Sequence, residues 1–259
     1  MAITLRSRRE IELMRQASIV VADVLSQLKE IAAPGVTTGY LDSVAVRMCA
    51  ERKAKALFKG VRSFHTRRAF PGAICASINE QVVHGIPSEK VRLASGDILS
   101  IDFGVRLNGY CGDAAVTIAI GPVSETNRRL IDVTKHVLDI AIAKCAPGVK
   151  WSSIAGLMQN YTESAGFSVV KDFVGHGIGK KMHEEPRVPN FVSEELLRDD
   201  VLLTEGMILA IEPMINAGTS ATRTLEDGWT VVTKDGKCSA HFEHTIAIIK
   251  GGCEVLTLK

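Results

Sequence analysis

Two histidines in the stretch FVGHGIGKKMHEEP have the residue type for metal binding or for acid–base chemistry. His176 and His183 are seven positions apart, which on a helix would place them on one face about two turns apart. Glycines beside His176 and at Gly179 disfavour a helix there. The stretch HEEPR also lacks the zinc-binding HExxH pattern, because Arg187 stands where the second histidine is needed. The pair alone leaves ligand, acid–base and structural roles open.

Acidic residues recur at matching places in two similar halves of the sequence. SGDILSIDFG resembles EGMILAIEPM, and GDAAVTIAIG resembles FEHTIAIIKG, so Asp102 corresponds to Glu212 and Asp113 to Glu243. The Pro-Gly break and helix pattern of AAPGVTTGYLDSVA recurs in CAPGVKWSSIAGLM. Strand propensity does not call for a carboxylate after an apolar run. The repeat predicts two halves, residues 1 to about 121 and about 122 to 259, with the acids meeting where the halves join.

An Asn-Gly pair predicts how the first two acids come together. Asn108-Gly109 lies between two strand patterns and is a strong hairpin signal, and a two-residue turn there places Asp113 opposite Gly104. Because side chains alternate between the faces of a strand, Asp102 and Asp113 become diagonal neighbours about 7–8 Å apart at the backbone. Such carboxylates can converge on two metal ions about 3.5–4 Å apart, and Gly104 leaves room for an ion.

Carboxylates that face one another on a partly apolar surface favour a cation between them, because they repel and lose hydration. The alternatives are that each acid is exposed at a strand end, or is neutralised by a basic residue such as Arg106. Repetition of the acids, together with His176 in a glycine-rich turn, favours a divalent metal. An oxygen-rich ligand set of this kind suits manganese, iron or cobalt better than the thiolate-rich site of structural zinc.

Composition limits the class of protein. The chain has 259 residues, of which 46% are hydrophobic and 23% charged, as in soluble globular proteins. A net charge of +2 gives no large positive surface for nucleic acid. No apolar run reaches the roughly 20 residues of a membrane span, and no signal-peptide layout is present. The six cysteines form no CxxC pair, which argues against a zinc finger or a disulfide scaffold. We therefore expect a cytoplasmic protein with reduced, mostly buried cysteines.

Helix and strand patterns alternate along the chain and predict an α+β fold with hairpins. A first helix begins at the capping box of Ser7 and Glu10 and runs to about Ile31. Further helices are predicted from about Gly39 to Ala56, from Ser124 to before Pro147, and from about Trp151 to Ala165. Strands are predicted at DILSIDFGVRL, YCGDAAVTIAI, FSVVKDFV, MILAIEPMI, GWTVVT and HFEHTIAII.

Over nearly its whole length the chain resembles the type I methionine aminopeptidases of bacterial length, in the pita-bread metallopeptidase family M24. The motifs that carry the resemblance are SINEQVVHGIP, LSIDFGVRLNGYCGDAAVT, GHGIGKKMHEEP, IEP and FEHT. It implies a single catalytic domain with the pita-bread fold, an antiparallel sheet flanked by helices, and a pseudo-twofold repeat. It also implies removal of the N-terminal methionine from nascent proteins, with a preference for a small second residue. The nucleophile implied is a hydroxide that bridges two divalent ions, which could be manganese, iron, cobalt or zinc.

The resemblance also implies roles for individual residues. The implied metal ligands are Asp102, Asp113, His176, Glu212 and Glu243. Asp113 and Glu243 would contact both ions. Glu212 is suited to accept the proton of water and return it to the leaving amine, although it would also be a ligand. His183 is suited to donate a hydrogen bond to the developing oxyanion, and His84 to hold the peptide nitrogen or assist the leaving group.

A small apolar pocket for the methionine side chain is implied as well, since a thioether favours such a surface. Its walls would be Phe70, Cys75, Met182 and Trp229. Each of these could equally be a core residue. The chain departs from the family at Arg67 and Arg68, where aromatic residues are expected, and at His241, where glutamine is expected. His241 shares a strand face with Glu243 and should look toward the metals, where it could alter local charge or add a ligand.

The remaining histidines, His65, His136 and His244, are predicted to be structural or exposed. Three alternatives share the fold: a proline-directed peptidase, a metal-free creatinase-like hydrolase and an inactive binding module. The first carries an additional N-terminal domain for which no room is expected, and the other two usually lack the metal acids. We expect an active, monomeric metallopeptidase that contacts the ribosome transiently and has neither nucleic-acid specificity nor a membrane partner.

Overall fold

The repeat in the sequence is visible in the order of the helices and strands. The computed structural model describes residues 3–62 and 68–258. The helices are α1 (Arg8–Ile31), α2 (Thr38–Glu51), α3 (Glu125–Lys144), α4 (Trp151–Ser164) and α5 (Glu194–Arg198). The strands that precede α3 are β1 (Lys55–Ala56), β2 (Cys75–Ile78), β3 (Gln81–Val83), β4 (Ile98–Leu107) and β5 (Tyr110–Ala119). Those that follow α4 are β6 (Ser168–Val169), β7 (Gly175–Gly177), β8 (Glu184–Val188), β9 (Ile208–Ile211), β10 (Met214–Asn216), β11 (Thr222–Thr224), β12 (Val231–Thr233), β13 (Ser239–His241), β14 (Glu243–Ile249) and β15 (Gly252–Val255).

Each half contributes two central strands to one antiparallel sheet. Each half also contains two long helices. The order of the sheet is β1-β4-β5-β14-β9-β7-β8, with β2 paired to β4 and β15 paired to β14. The halves join where β5 meets β14, with Glu243 opposite Ala115. Two small sheets, β13-β10-β6 and β11-β12-β3, complete the pairing. The predicted α+β class, with an antiparallel sheet flanked by helices, is confirmed.

The two largest apolar cores pack against the central sheet, one in each half. Val21 and Leu28 of α1 pack with Phe103 of β4 in the first core. Trp151 of α4 packs with Ile246 of β14 in the second. Burial of these side chains, worth about 1.5–3 kcal/mol for a residue of this size, holds the strands that carry the acids. The division into two halves within a single catalytic domain stays a prediction, since smaller apolar clusters mix residues of both halves.

The helix starts follow the predicted caps. The Ser7 hydroxyl accepts a hydrogen bond from the backbone N–H of Glu10, whose carboxylate accepts one from the N–H of Ser7 in return. The predicted end of α2 near Ala56 is wrong, because the helix ends at Glu51 and Lys53 has a positive φ of 53°. Residues 55–56 form β1 instead, pairing with β4. Among the described residues, no helix is long and apolar enough to cross a membrane.

Two of the predicted long strands are interrupted next to the repeated acids. MILAIEPMI breaks after β9, at Glu212-Pro213, and HFEHTIAII breaks at Phe242, between β13 and β14. Proline has no N–H to continue a ladder, which accounts for the first break. FSVVKDFV retains only the two residues of β6. The glycine-rich turn predicted around His176 is also wrong, since this residue lies in β7, between β8 and β9.

The hairpin register predicted from Asn108-Gly109 is confirmed. Asn108 and Gly109 have positive φ values of 51° and 84°, and Leu107 pairs with Tyr110. Farther along the ladder, Gly104 pairs with Asp113. The side chains of the two aspartates therefore lie diagonally on one face, as the strand alternation requires.

Candidate metal centre and active site

The four repeated acids and His176 come together at the middle of the sheet. Asp102 lies on β4, Asp113 on β5, His176 on β7 and Glu243 at the start of β14, while Glu212 directly follows β9. Candidate ligand atoms of Asp113, His176 and Glu243 all lie within 4.8 Å of one another. The Nε2 atom of His176 is 3.5 Å from Oε1 of Glu212. Residues from both halves thus form one cluster.

Three buried oxygen atoms of this cluster have no hydrogen-bond partner among the described residues. They are Asp102 Oδ1, Asp113 Oδ1 and Glu243 Oε1. Burial raises the pKa of Asp102 to about 7. Burial first, and the neighbouring carboxylates second, raise the pKa values of Asp113, Glu212 and Glu243 well above the usual range. Without a cation these acids therefore favour the protonated form.

The imidazoles of the site are neutral at pH 7. Burial, reinforced by nearby His183, lowers the pKa of His176 and that of His84 to about 4. Burial also lowers the pKa of His183. Neutral imidazole nitrogens and carboxylate oxygens without hydrogen-bond partners are suitable ligands for divalent cations. The donor set therefore fits a divalent metal, because a cation would satisfy the orphaned oxygens and offset their repulsion.

The absence of a side chain at Gly104 provides space for the carboxylate of Asp113. A Cβ atom at Gly104 would lie 2.9 Å from Asp113 Oδ1 and 3.2 Å from Cε1 of Phe58. The Phe58 ring is buried and restricts movement away from the added methyl. Asp113 would consequently have to rotate out of the cluster.

Gly104→Ala is therefore expected to weaken divalent-metal binding by about 10–100-fold, the usual effect of displacing a group that orients a ligand. Gly156→Ala is the matched control, since an added Cβ there meets only Cγ2 of Val192 at an ordinary 3.6 Å. Calorimetric titration of Mn²⁺ into each metal-free variant measures the effect. Equal affinities in the two variants would show that Asp113 does not need this space.

The glycines beside His176 serve the packing of the backbone. A Cβ at Gly175 would lie 2.5 Å from the carbonyl oxygen of Ala210, and one at Gly177 would lie 2.2 Å from that of Glu185. Both contacts are far inside van der Waals range. The flanking glycines thus let β7 fit between β8 and β9, which fixes the direction of the imidazole.

Thr245 joins the two strands that carry Asp113 and Glu243. Its hydroxyl accepts a hydrogen bond of 3.1 Å from the backbone N–H of Asp113 and donates one of 2.7 Å to the carbonyl of the same residue. The side chain is fully buried. One hydroxyl therefore replaces a backbone ladder contact between the halves, a role that the residue type alone does not signal.

Thr245→Val is expected to lower the free energy of unfolding by about 1–3 kcal/mol, because Asp113 would keep buried polar groups without partners. Thr134→Val serves as the control. Thr134 is equally buried, but its hydroxyl donates only to the carbonyl of Leu130 one turn earlier in α3. That substitution should change stability by less than about 0.5 kcal/mol. Urea unfolding compares the two, and equal losses would refute the bridging role.

His84 and His183 lie beside the acid cluster. The rings of His183 and His176 are edge to face, with centroids 4.4 Å apart. His84 has a positive φ of 59°, an uncommon conformation for a residue with a side chain. Its ring lies edge to face with Phe173, at 5.5 Å, and with Trp229, at 6.3 Å. Backbone strain of this kind is concentrated at functional sites.

One cavity of about 420 Å³ is lined by every residue predicted for the site. The predicted metal ligands in its lining are Asp102, Asp113, His176, Glu212 and Glu243. The other predicted residues in its lining are His84, His183, Phe70, Cys75, Met182 and Trp229. Sequence reasoning missed several further lining residues, namely Leu57, Phe58, Val61, Arg62, Arg106 and Lys181. Those at 57–62 follow the short strand β1, which was predicted as helix and whose pairing with β4 brings them to the cavity.

The apolar part of the cavity is an aromatic cluster. Phe58, Phe70 and Cys75 are buried together, and Met182 and Trp229 pack against them. The rings of Phe70 and Trp229 are edge to face at 5.2 Å. The four predicted wall residues therefore pack as a small core and also line the cavity.

Three further histidines lie within the described residues, and only His241 is at the acid cluster. His241 faces the cluster, with Nε2 3.9 Å from Oε2 of Glu212. His136 packs against the ring of Tyr161, and Nδ1 of His244 is 2.8 Å from the hydroxyl of Thr257. The predictions for His65 and Arg67 fall outside the described residues. Arg68 contributes its backbone carbonyl, which accepts a 2.9 Å hydrogen bond from Trp229 Nε1.

Comparison with known proteins agrees with this architecture. The sequence of residues 12–250 matches the family model of metallopeptidase family M24. A methionine aminopeptidase from Clostridium acetobutylicum is 46% identical over 256 residues, covering 99% of each chain. The crystal structure of a methionine aminopeptidase from Thermotoga maritima superposes with a TM-score of 0.93, at 38% identity and with complete coverage of both chains.

A more distant structure shares the fold alone. Prolidase from Pyrococcus furiosus has a TM-score of 0.76 at 20% identity, and the match covers 98% of this chain but 65% of the prolidase. The pita-bread fold predicted from the motifs is thereby confirmed. With a family match across most of its length and a relative 46% identical over 99% of both chains, this chain belongs to metallopeptidase family M24, among the methionine aminopeptidases.

Proposed function

We propose that the protein hydrolyses the peptide bond after an N-terminal methionine, with two divalent cations held by the acid cluster and His176. The observation that carries the proposal is a cavity of about 420 Å³, which joins that cluster to the aromatic pocket. The apolar walls suit a thioether side chain, and the neighbouring carboxylates suit metal and the charged amino terminus. The names of the full-length relatives support the same activity.

The proposed ligand set is Asp102, Asp113, His176, Glu212 and Glu243. Three of its members supply the oxygens that lack partners, and His176 supplies an Nε2 atom 3.5 Å from Oε1 of Glu212. When bound, divalent cations lower the pKa of a water molecule toward neutrality and polarise the scissile carbonyl. Manganese, iron, cobalt and zinc all remain candidates, because the donor set is mixed oxygen and nitrogen.

The side chains of the chain then handle protons and position the substrate. Glu212 accepts the proton from the attacking water on a carboxylate oxygen and transfers it to the leaving amine. His183, neutral at pH 7, donates a hydrogen bond from its N–H to the oxygen on which negative charge develops. His84, also neutral, holds the peptide nitrogen. Phe70 and Trp229 exclude water from around the methionine side chain and fix its direction.

The finer features of the proposed reaction rest on the family resemblance. They are the preference for a small second residue, action on nascent chains in the cytoplasm, transient contact with the ribosome and a monomeric state. All six cysteines are free.

The proposed function is tested by assaying the metal-stripped protein on a Met-Ala-Ser peptide with Mn²⁺, Co²⁺, Fe²⁺ or Zn²⁺ restored. Release of free methionine is expected with at least one of these ions and not in their absence. An Ala-Ala-Ser peptide is the matched substrate control and should remain intact. Equal activity with and without metal, or equal cleavage of the two peptides, would contradict the proposal.

A further inference from the structure

A pair of cysteines lies in the second half of the molecule, outside the candidate metal centre. Cys145 directly follows α3, and Cys253 lies on β15. The backbone N–H of Cys145 and the thiol of Cys253 donate to one acceptor, the carbonyl of Ile142, at 3.1 Å and 3.2 Å. The two side chains also lie close enough for each to shift the pKa of the other. Segments that are distant in sequence therefore bring two sulfur atoms together.

The two thiols differ in exposure and in acidity. Cys145 is buried, with 3% of its surface exposed, whereas Cys253 is only partly buried. The neighbouring Cys145 thiol lowers the pKa of Cys253, against the opposite effect of burial. The Cys253 neighbour first, and burial second, raise the pKa of Cys145. Because Cys253 is the more exposed of the two, it is the sulfur that meets an oxidant first, and its lowered pKa favours the reactive thiolate.

We propose that Cys145 and Cys253 are a reversible disulfide-forming site that responds to peroxides. The Cys253 thiolate attacks a peroxide oxygen and breaks the O–O bond, which gives a sulfenic acid and, after protonation, one water. The Cys145 sulfur then attacks the sulfenic sulfur, and its proton leaves with the hydroxyl as a second water. The two thiols are oxidised by two electrons, and one hydrogen peroxide is reduced to two waters. A dithiol reductant restores the pair by exchange.

The disulfide would join the end of α3 to the edge strand of the second half. It closes a loop of roughly 100 residues and so restricts the unfolded chain. Cys253 pairs with Ile248 on β14, whereas Glu243 starts that strand. The separation of about 17 Å along the strand leaves the metal centre outside the constrained region. Oxidation should therefore stabilise the fold without changing peptidase activity.

The experiment treats the metal-loaded, 259-residue protein with one equivalent of hydrogen peroxide. After alkylation of the remaining thiols, non-reducing peptide mapping should find the peptides of Cys145 and Cys253 joined, with loss of two hydrogens. Titratable thiols should fall from the six in the sequence by two, and Tm should rise by about 5 °C or more. Both changes should reverse with dithiothreitol.

The variants Cys145→Ser and Cys253→Ser should each lose the cross-link and the rise in Tm. Cys49→Ser is the matched control and should keep both, because Cys49 lies in α2 and its burial raises the thiol pKa to about 11. Finding Cys253 as sulfenic or sulfinic acid in the wild type, with Cys145 still free, would overturn the proposal. A disulfide between other cysteines or between two chains would overturn it equally.

Discussion

Glu212→Gln is expected to lower kcat/KM for a methionyl peptide by about 10²–10⁴-fold, the usual contribution of a positioned general base. Glutamine keeps the volume of the side chain but neither accepts a proton at neutral pH nor carries charge toward a cation. Glu212 lies between two imidazoles, with Oε1 3.5 Å from His176 and Oε2 3.9 Å from His241. The amide would replace one carboxylate oxygen with an NH₂ group, so the interactions with both rings change.

The loss should appear mainly in kcat, because the aromatic walls that bind the methionine side chain are untouched. Glu205→Gln is the control, since this glutamate is exposed in the same half of the molecule. Circular dichroism and Tm should show both variants folded. A Glu212→Gln variant with more than a tenth of the wild-type kcat would remove Glu212 from the proposed proton transfer.

Removal of metal is expected to make stability strongly dependent on pH. The folded-state pKa of Asp102 is raised from 3.8 to about 7 by burial, and those of the other three acids are raised well above normal. A carboxyl group with a raised pKa binds more protons in the folded state than in the unfolded state between the two pKa values. Linkage then requires the free energy of unfolding to fall as pH rises through that interval.

For Asp102 alone, the two pH units between 5 and 7 correspond to about 3 kcal/mol. The Tm of the metal-free protein should therefore fall by on the order of 10 °C between pH 5 and pH 8. Metal replaces the protons, so the loaded protein should show little of this slope. Differential scanning calorimetry with and without Mn²⁺ checks the difference. A metal-free protein that grows more stable from pH 5 to pH 8 would contradict the assigned burial of the acids.

Much of the first half could be predicted because its information is local. Asn108-Gly109 fixes the turn, the turn fixes the register, and the register places Asp102 diagonal to Asp113. The second half has no such hairpin between its acids. Glu212 and Glu243 are brought together by pairing between β9 and β14. Between these two strands in the sequence lie β10 to β13, which belong to the two small sheets. There the internal repeat, rather than any local signal, provided the prediction.

The errors arose where a pattern supports two structures. The helical pattern of apolar residues in α2 extends to residues 55–56 in the sequence. The helix nevertheless ends before them, because Lys53 adopts a left-handed backbone conformation and β1 follows. The glycines around His176 predict a turn. They instead allow β7 to pack closely between β8 and β9, because side chains at these positions would clash with the neighbouring backbones. Thr245 carried no signal at all, because its importance depends on which backbone groups lie across the join between the halves.

The repeated acids and His176 are proposed to form one site for two divalent cations. Isothermal titration of Mn²⁺ into the metal-free protein, in two buffers of different ionisation enthalpy, measures both the number of ions bound and the number of protons released. We expect two ions per chain and net proton release at pH 6, with at least one ion lost in Asp113→Asn. Binding of fewer than two ions by the wild type, or an unchanged two ions in that variant, would contradict it.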